Sequence, residues 1–330
     1  MTFDEIAKEL NVSKTTVSRA LSGKGRIGEE TKNRIIEYAR QNGISVEKGT
    51  KNRNATKNIG VVLPADVYSS GAPYFQECIL GVCETATFFD YDVVIATETT
   101  NNVSEIYSLV EKKKVDGIIL TRNLEDNRGL KYLTDIDFPV GLTGITSYDS
   151  VIQVDTDNKA AAESLTSLLI SKGYRKFALI LDDMEYMVNK SRYGGFCEAL
   201  KKNNIALESQ EVISGPLRVD LFDNLFERLF AKKVECIICG DDVICTRTMS
   251  SLQALGYRIP KDISVASLYN SPNLDCFTPS VTSVNVSARQ VGNVICRQMI
   301  QYLEGKEFQK RTMIDYEILV RKSASGLDRE

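Results

Sequence analysis

From residue 59 onward, short apolar runs alternate with stretches of helical periodicity, and this alternation restricts the fold more than any other feature. Ile59-Gly60-Val61-Val62-Leu63-Pro64 is continuously apolar, the pattern of a strand covered on both faces in a parallel sheet. A helix over residues 73–89 follows. Strands come next at Asp92–Ala96, Val115–Leu120, Pro139–Leu142 and Val151–Val154, with helices between them. After Asp155 the pattern restarts: helix 157–172, strand Lys176–Leu181, helix 190–203, strand Glu211–Ile213. It continues with helix 221–232, strand Cys236–Cys239, helix 242–255 and strand Ile263–Leu268. Two such runs predict two doubly wound α/β halves with parallel sheets. Ser280–Val286, a helix over 287–303 and a last strand Tyr316–Val320 are read as crossing between the halves.

The first 43 residues carry a different period. Thr2 and Glu5 form a capping box for a helix over 2–10, whose apolar face is Ile6, Ala7 and Leu10. Asn11 suits the left-handed position that ends a helix. Ser13 then opens a second helix, its hydroxyl placed to accept from the Thr16 N–H. Val17, Ala20 and Leu21 make the stripe that must be buried, leaving Lys14, Thr15, Ser18 and Arg19 outward. A turn of about three residues forces the helices to cross steeply, as in a helix-turn-helix. Gly23 and Gly25 end the second helix, and Glu29 to Gln41 makes a third, with Ile35, Ile36 and Ala39 closing the core. Two cations and two short hydroxyls at the start of a short helix can hold phosphates and read base edges. Taken alone, the same helix also reads as a solvated surface. Residues 1–57 hold 12 Lys and Arg against 7 Asp and Glu, a net +5 in a chain whose total is −3. A basic module on an acidic body implies that the first segment meets a polyanion.

The 330 residues suit two or three domains. No run of about 18 apolar residues occurs, and the N-terminus lacks a basic start and an apolar core, so a cytoplasmic protein without membrane contact is expected. Eight Cys are scattered, mostly in apolar segments. Cys236 and Cys239 have C-x-x-C spacing, but residues three apart on a strand face opposite ways, which makes them buried thiols. The absence of His removes imidazole metal sites and His-based triads. No phosphate-binding or nucleophile-elbow glycine motif is present, and Gly240-Asp241-Asp242 alone is a weak metal signal. No enzyme activity, metal or cofactor is expected.

Glu5-Ile6-Ala7-Lys8, Val12-Ser13, Thr16-Val17-Ser18-Arg19-Ala20-Leu21, Gly23-Lys24-Gly25 and Glu29-Glu30-Thr31 together resemble the headpiece of LacI/GalR-family transcriptional regulators. The resemblance implies that Lys14, Thr15 and Arg19 enter the major groove, while Ser13, Thr16 and Ser18 hold adjacent phosphates. Thr2 and Ser22 are placed on the same DNA-binding surface; the family usually has Asn where Ser22 stands, and Ser where Gly28 stands. Residues 46–58 read as a basic linker. There the family carries a Tyr-x-Pro-Asn segment and a hinge helix whose Leu wedges into the minor groove. Neither that Pro nor that Leu is present here, although Lys51, Arg53 and Lys57 can neutralise phosphate.

Val115-Asp116-Gly117-Ile118-Ile119-Leu120, the run from Arg192 to Phe196, and Ile259-Pro260-Lys261-Asp262-Ile263-Ser264-Val265 resemble the family's effector domain, built like a periplasmic sugar-binding protein. The organisation expected is a small all-α headpiece (1–45), a linker (46–58) and an effector and dimerisation domain (59–330). Its subdomains would take about 59–155 with 285–312, and about 156–284 with 313–330. Ligands of open α/β sheets sit beyond strand C-termini, which selects Asp66, Tyr74, Phe75, Asp155, Asp241, Asp242, Tyr269 and Asn270. Resemblance adds Arg192 and Phe196. An Asp after a strand also serves simply as a helix N-cap, and Tyr74 and Phe75 also read as core. Two departures bear on the ligand: Leu268-Tyr269-Asn270 stands where the family has Phe-Asp-Asp, and Ala72-Pro73-Tyr74-Phe75 where it has Asn-Pro-Phe-Phe. The function expected is allosteric transcription regulation. A homodimeric repressor would bind a near-palindromic duplex operator, and a sugar or sugar phosphate would alter its affinity. The alternative is a cytosolic carbohydrate-binding protein or α/β enzyme whose N-terminal helices make protein contacts only.

Overall fold

The N-terminal segment folds around Ile6, Val17 and Ile35, all fully buried. They lie on three helices, α1 (Phe3–Glu9), α2 (Lys14–Ser22) and α3 (Glu29–Gln41). The structure, a computed structural model, describes residues 3–22, 27–41, 55–65, 72–99, 102–215 and 225–326. Asn11 takes φ +54° after α1, a left-handed conformation that Asn tolerates. The Val12 N–H then donates to the Ala7 carbonyl at 2.9 Å. Ser13 Oγ accepts from the Thr16 N–H at 3.0 Å, the N-cap read from the sequence. Leu10, Val12, Ile27 and Tyr38 pack around this core.

The body begins with β1 (Asn58–Pro64), α4 (Pro73–Phe88), β2 (Asp92–Glu98), α5 (Ser104–Glu111), β3 (Gly117–Leu120) and α6 (Arg128–Asp135). It continues through β4 (Val140–Thr143), β5 (Ile152–Thr156), α7 (Asn158–Ser171), β6 (Phe177–Ile180), α8 (Met187–Lys202) and β7 (Glu211–Ile213). The last part holds α9 (Leu225–Ala231), β8 (Cys236–Cys239), α10 (Asp242–Ala254), β9 (Ser264–Ser267), α11 (Pro272–Asp275) and β10 (Thr282–Asn285). It ends with α12 (Ala288–Leu303), β11 (Arg311–Ile314) and β12 (Glu317–Leu319). The Asp116 carboxylate accepts from the Thr56 and Lys57 amides at 2.9 and 2.8 Å, tying down the chain where it enters β1.

The strands form two six-stranded sheets, β11-β5-β4-β3-β1-β2 and β12-β10-β9-β8-β6-β7. Every described pairing is parallel except β10 with β12. Alternation along β1 sends Ile59 and Val61 to one face, against α4 and α12, and Val62 to the other. In β8, Cys236 and Cys239 likewise enter different cores. The strand β11, absent from the sequence reading, closes the first sheet beside β5. The chain passes between the sheets three times: from β5 to α7, from β10 to α12, and from β11 to β12.

Glycines let the covering helices approach closely. A Cβ on Gly292 would lie 2.0 Å from the Cys78 carbonyl oxygen, and one on Gly81 would lie 2.1 Å from that of Arg289. In the second half, a Cβ on Gly195 would lie 2.1 Å from the Lys159 carbonyl oxygen, whereas one on neighbouring Gly194 would meet nothing closer than 3.8 Å. Gly195→Ala is therefore expected to destabilise the fold by about 2–3 kcal/mol through backbone displacement. Gly194→Ala is expected to be neutral or stabilising by up to about 1 kcal/mol through helix propensity. Paired denaturant titrations of the two variants check the contrast.

Candidate functional site

Both sheets reverse their strand order internally, between β1 and β3 in the first and between β6 and β8 in the second. Crevices beyond strand C-termini open at such points. Here they merge into one cavity of about 460 Å³, lined by both halves. Tyr74, Phe75 and Asp155 reach it from the first half, and Arg192, Asp241, Asp242 and Tyr269 from the second.

Arg192, on the first turns of α8, is buried. Burial lowers its guanidinium to about 10, against the opposing pull of Asp155, Tyr74, Asp242 and Tyr269. It therefore stays charged at neutral pH, and its Nε has no hydrogen-bond partner. Burial pushes Asp155 up to about 6, although Oδ1 accepts from the Thr156 N–H at 2.8 Å and from Asn158 Nδ2 at 3.0 Å. Asp157, not Asp155, caps α7, accepting from the Ala160 N–H at 2.9 Å. Asp241 does both jobs: it lines the cavity and caps α10 by accepting from the Ile244 N–H at 2.9 Å. The Asp242 carboxyl is also raised, by burial first, and its Oδ2 has no hydrogen-bond partner. Tyr74 meets Phe75 and Tyr269 edge-on, at ring-centroid separations of 5.3 and 5.6 Å. Burial raises both phenols, Tyr74 and Tyr269, which stay protonated as donors.

Two residues selected from the sequence, Phe196 and Asn270, lie away from the cavity. Phe196 does not face the cavity: it is fully buried in the core of the second half, edge-on to Phe177 at 6.2 Å. It lies one helical turn beyond Arg192, ~6 Å deeper along the axis, where α8 has left the strand ends and packs on the sheet. Asn270, also selected at a strand end, is bonded to Ser283 and Arg321 and does not line the cavity. Asp66 lies outside the described residues. Missed were Arg122, Asn123, Thr143, Asp182 and Tyr186, which also line the cavity. All but Tyr186 end β4 or lie within three residues of the end of β3 or β6, so the strand-end rule applied to every strand would have found them. Among the described residues no cluster of three or more metal-ligating side chains occurs, and no helix is long and apolar enough to cross a membrane.

On the N-terminal module, the N-cap Ser13 and Lys14, Thr15 and Arg19 of α2 are exposed, while Thr16 and Ser18 are half-buried beside them. The Ser13 and Thr16 hydroxyls are 2.7 Å apart. Ser22 ends the helix; Thr2, Lys51 and Arg53 lie outside the described residues.

A three-helix module with a polar, basic second helix, joined to two parallel-sheet halves around a cleft, defines a DNA-binding regulator with a periplasmic-binding-protein-like domain. Residues 2–43 match the model of bacterial regulatory proteins of the lacI family, and residues 166–324 match that of the periplasmic binding protein-like domain. The chain thus carries a DNA-binding domain of the lacI family and a periplasmic-binding-protein-like domain, and its matched relatives are transcriptional regulators. It is 24% identical to the HTH-type transcriptional regulator RegA of Clostridium saccharobutylicum, over 97% of this chain and 98% of that protein. A solved complex of the regulator CelR with cellobiose superposes with a TM-score of 0.72 at 22% identity, covering 98% of this chain and 99% of that one. A regulator from Alkaliphilus metalliredigens complexed with D-xylulofuranose gives a TM-score of 0.69 at 20% identity, covering 81% and 99%.

The acidic side of the cleft makes stability depend on pH. Burial, with a contribution from Asp242, pushes the Asp241 carboxyl up to about 7 from its ordinary 3.8. Between those values the folded chain holds a proton that the unfolded chain has released, so stability falls as pH rises through that window. Asp241→Asn keeps a capping oxygen and removes this penalty. Partial exposure keeps the gain on the order of 1 kcal/mol at pH 8. Thermal melts should show the variant's advantage at pH 8 shrinking towards zero as pH approaches 4.

Proposed function

We propose that this regulator is a homodimeric repressor of a near-palindromic operator, and that a small carbohydrate or sugar phosphate held in the cleft changes its operator affinity. The observation carrying the DNA half is the division of α2. Val17 and Ala20 are spent on the three-helix core, while Lys14, Thr15 and Arg19 stay exposed on one short helix. One such helix reads only a few base pairs, so a useful site needs two copies on two half-sites. Lys51 and Arg53 of the linker add phosphate contacts.

The cleft half rests on Arg192, Asp155, Asp241 and Asp242 converging beside Tyr74 and Tyr269. Each sugar hydroxyl both donates and accepts, and this set offers both roles with aromatic walls. The regulators complexed with cellobiose and with D-xylulofuranose share the fold. Movement of the halves would change the spacing of the two headpieces, with a coupling free energy of ~1–3 kcal/mol.

Selection from random duplexes by the full chain is expected to enrich a sequence with two related half-sites. Binding to it should weaken steeply with salt as counterions are released. Arg19→Ala should lose about 1–3 kcal/mol of discrimination at one base pair per half-site while keeping the salt dependence of its remaining phosphate contacts. Failure to enrich any sequence, or affinity independent of salt, would overturn the DNA-binding reading.

A further inference from the structure

We infer that the cleft carries a main-chain latch of its own, in which residues 123–125 of the first half pair with residues 185–187 of the second, and that exchange of a bound molecule requires its release. The Glu125 N–H donates to the Glu185 carbonyl at 2.9 Å, and the Met187 N–H donates to the Asn123 carbonyl at 3.1 Å. Between them Leu124 and Tyr186 form an antiparallel bridge, and Leu124 is buried. Side chains reinforce the pairing. The Arg122 guanidinium lies 4.8 Å from the centre of the Tyr186 ring, and Lys190 pairs with Glu125.

The position of these bonds gives them their consequence. The three crossings between halves involve β5 and β11 at one edge of the first sheet, and β10 and β12 at one edge of the second. The latch grows from β3, two strands from β5, and from β6, three strands from β10. At a strand spacing of ~4.8 Å it stands about 10–14 Å away from the hinge edge. Rotation about the hinges that opens the strand ends must therefore stretch both hydrogen bonds beyond their range. Among the described residues neither amide donates to a second acceptor: Met187 is the first residue of α8, where an N–H has no intrahelical partner, and Glu125 lies in a loop.

Arg122, Asn123, Tyr186 and Met187 also line the cavity, so an occupant that reaches this end of the cleft touches the latch directly. The contacts are made wholly by this chain. The consequence for ligand exchange rests on the proposed role of the cleft, but the latch can be tested with neither ligand nor DNA, so its failure is distinct from failure of that role.

Hydrogen exchange at single-amide resolution on the full-length protein is the test. The Glu125 and Met187 amides are expected to exchange at least about a hundredfold more slowly than unstructured amides. Glu125→Pro removes one donor, and should speed exchange at Met187 at least about tenfold while amides of β3 and β6 keep their protection. If that variant loses strand protection, Leu124→Gly replaces it with the same expectation. Unstructured exchange rates at Glu125 and Met187 in the parent protein would overturn the latch. So would unchanged Met187 protection in a variant whose strands remain intact.

Discussion

A charged guanidinium buried between two separately folded sheets is the interaction on which the cleft depends. Isolated, Arg192 would carry a desolvation penalty of several kcal/mol. Asp155 from the end of β5 and Asp242 from the start of α10 offset it, one from each half. The offset is incomplete: Arg192 Nε, itself shut off from solvent, has no hydrogen-bond partner.

That arrangement exists because of strand direction. Parallel strands deliver all their C-terminal ends to one edge, and the three crossings turn the two edges toward each other. Close helix packing at Gly81, Gly292 and Gly195 holds each half firm enough for its strand ends to keep their positions. The headpiece core around Ile6, Val17 and Ile35 shares no residue with the cores of the body. Among the described residues, no hydrophobic core spans the headpiece and the body.

The sequence made the repeating units legible and left their junctions obscure. Buried parallel strands and capped short helices each have a local signature, so Ile59–Pro64, Cys236–Cys239 and the Ser13 cap follow from the residues alone. β11 did not: Arg311 and Met313 stay exposed at a sheet edge, which gives no continuous apolar run. The latch has no local signature either, because Asn123-Leu124-Glu125 and Glu185-Tyr186-Met187 form it only when the two halves meet. The misplacement of Phe196 has the same origin. It shares a helix face with Arg192, and only the depth at which α8 crosses the sheet separates pocket from core.

On the proposed function, Arg192 is where the cleft's occupant is felt by the DNA-binding surface. The direct measurement is operator affinity of the parent chain and of Arg192→Ala, titrated with neutral and phosphorylated monosaccharides and disaccharides. At least one compound should change the parent's dissociation constant about tenfold or more, while Arg192→Ala binds the same operator and does not respond. An Arg192→Ala protein that responds as the parent does, or a parent indifferent to every compound, would contradict it.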